Sequence, residues 1–152
     1  MKDHAFAARR AATWGLVAYI VVLGFVALWP TPVDRAGGEL LLKALRRLHR
    51  WGIPDWADYA LVESVSNVLL FVPLGALMVL LLGRRYWWAA PAAGVLLSSL
   101  IELAQFLFLP ARYPALADVA ANSLGAALGS GLALLITTRR NTAQIPPPAR
   151  TL

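Results

Sequence analysis

Two carboxylates, three carboxamides and one guanidinium stand out because they lie within or beside strongly apolar segments. Glu102 and Gln105 are three residues apart in "IELAQ", so a helix would place both on one face. The other four are Arg112, Asp118, Asn122 and Asn67. Paired carboxylates can exchange protons with a substrate, whereas a guanidinium among amides is suited to bind a phosphate or a carboxylate. Acid–base catalysis and anion binding are both open to this set.

The spacing predicts that these groups converge. Asp118 and Asn122 are four apart and continue into Gly125 and Gly129 as one helix stripe, which also permits close helix packing. Arg112 is the natural cationic partner for a nearby acid, either Glu102 or Asp118. An ionisable group inside a membrane costs several kcal/mol unless it is paired or hydrated, so a polar pocket near one surface is expected. The alternative is that the polar groups only tie helices together, at about 0.6–2 kcal/mol per hydrogen bond.

The composition indicates a membrane protein. The chain is 59% hydrophobic and 14% charged, whereas soluble domains average about 45–50% apolar and about 25% charged residues. The net charge of +6 comes from basic residues that flank apolar segments, which favours a topology signal over a nucleic-acid-binding face. There is no cysteine, and no metal site or cofactor is expected.

Four apolar segments are long enough to cross a bilayer, which takes about 20 helical residues. An all-α integral membrane bundle is therefore predicted, with transmembrane helices at about 13–29, 62–82, 86–109 and 116–137. Pro73 and Gly75 indicate a kink with close packing in the second of these. We expect residues 1–140 to form a single membrane domain and the Pro-rich residues 141–152 to form a disordered tail.

The connection between the first two spans contains an amphipathic helix at about 39–51, with basic residues on one face and leucines on the other. It could cover the mouth of the bundle, contact lipid headgroups directly, or do both. Basic residues next to the spans favour both termini in the cytoplasm and the polar pocket at the outer surface of the membrane.

Three ordered blocks resemble the VanZ-like family of small bacterial membrane proteins: "NVLLFVPLG", "IELAQ" and "RYPALADVAANSLGAALG". On this resemblance the family positions are carried by Asn67, Phe71, Pro73, Gly75, Glu102, Gln105, Arg112, Asp118, Asn122, Gly125 and Gly129. Ala115 and Ala117 stand where many members have further acids, which argues against an acid-rich metal cage. The resemblance implies an integral membrane protein of the cell envelope, linked to low-level resistance to the glycopeptide antibiotic teicoplanin.

The sequence is compatible with three functions. The first is a non-catalytic envelope protein whose pocket binds a lipid or glycolipid headgroup, with Arg112 on its phosphate or carboxylate. The second is an enzyme on a lipid-linked substrate that uses Glu102 and Asp118 as an acid–base pair, although both histidines lie outside the cluster. The third is a scaffold or transporter subunit, which would need a second copy of the chain or another partner. We expect the first.

Overall fold

The computed structural model describes residues 2–28, 35–109 and 115–142. Within these ranges the chain is entirely helical, with no strand. The helices are α1 (Lys2–Ala27), α2 (Arg35–Arg50), α3 (Tyr59–Leu82), α4 (Ala89–Phe108) and α5 (Leu116–Thr142), with a 3₁₀ turn at Arg84–Tyr86. The predicted all-α bundle is confirmed.

Four of these helices are long and apolar enough to cross a membrane, at Arg9–Ala27, Tyr59–Leu82, Ala89–Phe108 and Leu116–Arg139. They correspond to the four predicted spans, and α2 lies between the first two as expected. Many large apolar side chains on them are exposed, including Val21, Leu69, Leu96 and Leu135. In a bilayer these side chains would contact lipid, where exposure of apolar surface carries no penalty.

The helix ends follow from local chemistry. The carboxylate of Asp58 precedes α3 and accepts a hydrogen bond from the Leu61 amide at 2.9 Å, which is the usual N-cap arrangement. Gly83 ends α3 at φ 85°, a left-handed conformation that residues with a Cβ rarely adopt. Helix α5 continues to Thr142 and so includes the first two residues of the predicted tail, 141 and 142. The remainder of the predicted tail lies outside the described residues.

The most extensive helix–helix contact joins α3 and α5. A Cβ on Gly129 would lie 1.9 Å from the Val72 carbonyl oxygen, and one on Gly125 would lie 2.1 Å from that of Val68. Gly75 on α3 approaches the Ala126 carbonyl oxygen as closely, at 2.0 Å from a built Cβ. The two backbones are therefore in direct contact, which only glycine permits.

The core lies at this contact. Phe71 and Leu74 of α3 and Ala126 of α5 are buried together with Leu23 of α1. Helix α1 is otherwise largely exposed. The Tyr19 hydroxyl donates a hydrogen bond to the Leu70 carbonyl of α3. Pro73, in the next turn of α3, has no amide hydrogen to donate to the carbonyl of Leu69.

Candidate functional site

The polar side chains collect at one end of the bundle, where α1 and α4 finish and α3 and α5 begin. We call it the polar end. The first amides and the last carbonyls of an α-helix have no partner within the helix. A water-free environment makes each unsatisfied backbone group costly. The polar side chains of this end meet that need and also link neighbouring helices.

Glu102 of α4 holds the start of α5. Its carboxylate Oε2 accepts a hydrogen bond from the amide of Ala115, the residue before α5, at 2.9 Å. The side chain is only 8% exposed. The N-terminus of a helix carries a partial positive charge, so an anion is stabilised there. This geometry explains how an acid can be buried at this depth.

Asn67 and Asp118 link α3 to α5. The Asn67 amide Nδ2 donates to Asp118 Oδ1 at 2.9 Å. Asp118 lies in the first turn of α5, which again places an acid at the positive end of that helix. Both side chains are half-buried.

Gln105 links α4 to α1. Its amide Nε2 donates to the backbone carbonyl of Ala27, the last residue of α1, at 2.8 Å. That carbonyl is one of the four that a helix C-terminus leaves without an internal partner. Gln105 is half-buried and lies on the same face of α4 as Glu102.

Asn122 lies one turn deeper and joins α5 to α4. Its Nδ2 donates to the hydroxyl oxygen of Ser98 at 2.8 Å, with both residues buried. The Asn122 carbonyl oxygen, Oδ1, is buried and has no hydrogen-bond partner among the described residues. A buried amide oxygen without a partner is rare and costs about 1–3 kcal/mol.

The structure thus brings five of the six predicted polar residues to one region: Asn67, Glu102, Gln105, Asp118 and Asn122. The sixth, Arg112, lies outside the described residues, and so does its expected pairing with Glu102 or Asp118. Of the predicted motif positions, Phe71 and Gly75 are buried in α3, whereas Pro73 is exposed.

Sequence reasoning missed Ser98. The sequence pattern does indicate it. The buried residues of α4 recur at every fourth position: Ala90, Gly94, Ser98 and Glu102. That row is one face of a helix. The close approach of Gly94 to the Ala126 and Ser123 atoms of α5 shows that this face packs on α5. Small residues on it predict a close neighbour, and the serine predicts a polar partner there.

The donor set does not favour metal binding. Among the described residues no group of three or more His, Asp or Glu side chains could hold a metal ion. His49 lies on α2, where its Nε2 donates to the Ala57 carbonyl at 3.1 Å. This hydrogen bond stabilises the loop between α2 and α3. What the site offers is hydrogen-bond donors and acceptors at one end of a membrane bundle.

The described residues are entirely helical, and four of their helices are long and apolar enough to span a membrane, which is the architecture of a multi-pass membrane protein. The sequence model of the family described as VanZ/LLP1 matches residues 16–137, well over half of the chain. The chain therefore belongs to the VanZ family, and the resemblance drawn from its motifs is confirmed. Searches of curated proteins and of solved structures found no match.

Proposed function

We propose that this VanZ-family membrane protein is non-catalytic and that its polar end forms a pocket for a lipid or glycolipid headgroup. In this proposal the protein lies in the bacterial cytoplasmic membrane with both termini in the cytoplasm, so the polar end faces outward. Occupation of the pocket would alter the envelope surface that glycopeptide antibiotics meet and thereby influence susceptibility to teicoplanin.

One observation carries the proposal: α3, α4 and α5 all contribute polar side chains to the same end of the bundle. The helix-linking bonds do not exhaust these groups. A carboxamide can make up to four hydrogen bonds, and the amides of Asn67 and Gln105 each make one to a described residue. Both side chains are half-buried, so a headgroup at the membrane surface could reach them.

The chemistry of a headgroup fits this set. The hydroxyls of a sugar or glycerol can bond to amide donors and acceptors, whereas a phosphate or carboxylate needs a cation. Arg112 supplies that cation in the proposal, because guanidinium binds such groups in a two-pronged geometry. Glu102 and Asp118 would then fix the first turn of α5 and hold the pocket's shape.

An enzyme that uses Glu102 and Asp118 as an acid–base pair is the competing proposal, but the hydrogen bonds among the described residues favour a structural role for both carboxylates. Each carboxylate already accepts a hydrogen bond that fixes the helices. Glu102 is also buried against the start of α5. Substrate turnover by purified protein that disappears in Glu102→Gln would favour this alternative.

The test of the binding proposal is to identify the lipids that remain on the purified protein. Wild type, Arg112→Ala and Arg85→Ala would be purified in a mild detergent, and their lipids extracted and identified by mass spectrometry. Arg85 is an exposed arginine at the opposite end of α3, so it controls for loss of one charge. We expect one lipid class to be enriched on wild type and on Arg85→Ala and to be lost from Arg112→Ala. Equal retention on all three proteins would contradict the proposal.

A second measurement tests the link to teicoplanin. The three proteins would be expressed at matched levels in a susceptible bacterium, and the minimum inhibitory concentration determined. We expect wild type and Arg85→Ala to raise it and Arg112→Ala to leave it unchanged. An increase that persists in Arg112→Ala would separate any resistance effect from the pocket.

A further inference from the structure

A second charged feature lies on α2, the helix that connects α1 to α3, and it uses none of the helix-linking residues of the polar end. Four exposed cationic side chains of α2 surround an open depression of the surface: Lys43, Arg46, Arg47 and Arg50. We call this set the basic cradle. Its members are spaced 3, 1 and 3 along the helix, which keeps them on one side. From Lys43 to Arg50 the cradle extends about 10 Å along the helix axis.

The charges of the basic cradle are poorly compensated. Lys43 lies 3.9 Å from the carboxylate of Glu39, with both side chains mostly exposed. Arg46, Arg47 and Arg50 form no ion pair within the described part of the chain, and Arg47 lies 5.9 Å from the ring centre of Trp51. Four neighbouring cations repel one another, so an anion that binds among them relieves that repulsion.

The connectivity places the basic cradle at the membrane surface. Helix α2 connects the end of α1 to the start of α3, and both of these are candidate spans. Leu45 on its apolar side is buried, and α2 contacts α3. Leu40 on the same helix and Trp51 directly after it remain exposed, which suits a segment that lies among lipid headgroups.

We propose that the basic cradle binds the phosphate groups of anionic membrane lipids. Guanidinium groups bind phosphate through two parallel hydrogen bonds, and three of the four cradle residues are arginines. Because the cradle is longer than one phosphate, it engages two phosphates at once and favours a lipid that carries two. This site is separate from the proposed headgroup pocket and does not depend on Arg112.

The test measures the preference of the full-length protein for anionic lipid. The protein would be reconstituted in phosphatidylcholine bilayers with trace spin-labelled phosphatidylcholine, phosphatidylglycerol or cardiolipin. The fraction of label immobilised at the protein surface gives the relative association of each lipid. We expect a several-fold preference for phosphatidylglycerol over phosphatidylcholine and a larger one for cardiolipin, which carries two phosphates. Equal association of cardiolipin and phosphatidylglycerol would contradict the binding of two phosphates at once.

A matched pair of double variants locates the site. Arg46→Gln/Arg50→Gln removes two charges from the basic cradle, and Arg85→Gln/Arg139→Gln removes two exposed charges from the opposite end of the bundle. All four side chains are exposed, so both variants should fold, which circular dichroism would check. We expect the ratio of anionic-lipid association to phosphatidylcholine association to fall towards one in the first variant and to remain several-fold in the second. An equal fall in both would overturn the proposal, because it would reflect net charge and not the cradle.

Two competition experiments distinguish lipid phosphate from free phosphate and from nucleic acid. Millimolar inorganic phosphate should leave most of the preference intact, because a lipid phosphate is held at the membrane surface and a free one is not. A short oligonucleotide should compete only at low salt, where any cationic surface attracts it. Binding of the oligonucleotide by the cradle without any preference for anionic lipid would overturn the proposal and indicate a nucleic-acid partner.

Discussion

The carboxamide of Asn67 on α3 donates to the carboxylate of Asp118 on α5 at 2.9 Å, and the backbones of the same two helices touch at Gly125, two turns further along α5. The hydrogen bond and the glycine contacts join the same two helices through different residues, so each can be removed by a substitution that leaves the other's atoms in place.

The Asn67–Asp118 bond should contribute measurable coupling. A double-mutant cycle of Asn67→Ala and Asp118→Ala is expected to give about 0.5–2 kcal/mol, the range found for hydrogen bonds between membrane helices. Unfolding would be followed in bilayers by steric trapping. As a control, Asn67→Ala combined with Ser123→Ala should give coupling near zero, because the Ser123 hydroxyl bonds to Val119 within α5. Coupling near zero in the first cycle would contradict the bond.

Gly129→Ala should destabilise the bundle by about 1–3 kcal/mol, because the new methyl group would overlap the Val72 carbonyl and push α3 from α5. Gly131→Ala is the matched control on the same helix, since nothing lies within 4 Å of a Cβ built there. That control should be neutral or slightly stabilising, because alanine favours a helix over glycine. Similar losses in both variants would argue against the close α3–α5 contact.

Glu102→Leu should loosen the start of α5. It leaves the Ala115 amide without its acceptor, at an expected cost of about 1–3 kcal/mol. Hydrogen exchange at Ala115 and in the first turn of α5 should become faster, whereas exchange near Thr137 should not change. Glu102→Gln retains an acceptor oxygen and should show a smaller effect. Unchanged protection at Ala115 in Glu102→Leu would show that Glu102 does not hold this amide.

Replacing both Ser98 and Asn122 should cost less stability than replacing Ser98 alone. Ser98→Ala removes the acceptor of the buried Asn122 amide, so a loss of about 1–3 kcal/mol is expected. Replacing both partners, as in Ser98→Ala/Asn122→Leu, removes the unsatisfied group and should recover most of that stability. Thermal unfolding in detergent would compare wild type, Ser98→Ala and the double variant. A double variant less stable than Ser98→Ala would show that a further polar partner reaches this position.

Hydropathy alone predicts the four spans and the amphipathic α2, because membrane helices obey a simple length and polarity rule. Helical spacing also predicts which polar residues share a face. It does not predict their partners. Glu102 accepts from the backbone of Ala115 and Gln105 donates to the backbone of Ala27. A backbone group carries no residue-type signal, so a sequence cannot reveal which amide or carbonyl a side chain will reach.

The docking of α1 has a consequence for biosynthesis. Helix α1 is synthesised before α3 and α4, yet two of its hydrogen bonds are made with them: the Tyr19 hydroxyl donates to the Leu70 carbonyl, and the Ala27 carbonyl accepts from Gln105. Until α3 and α4 have been synthesised, the Tyr19 hydroxyl and the Ala27 carbonyl lack these two partners. The two hydrogen bonds that join α1 to the bundle can therefore form only after α3 and α4 have been synthesised, so the docking of α1 is completed after theirs has become possible.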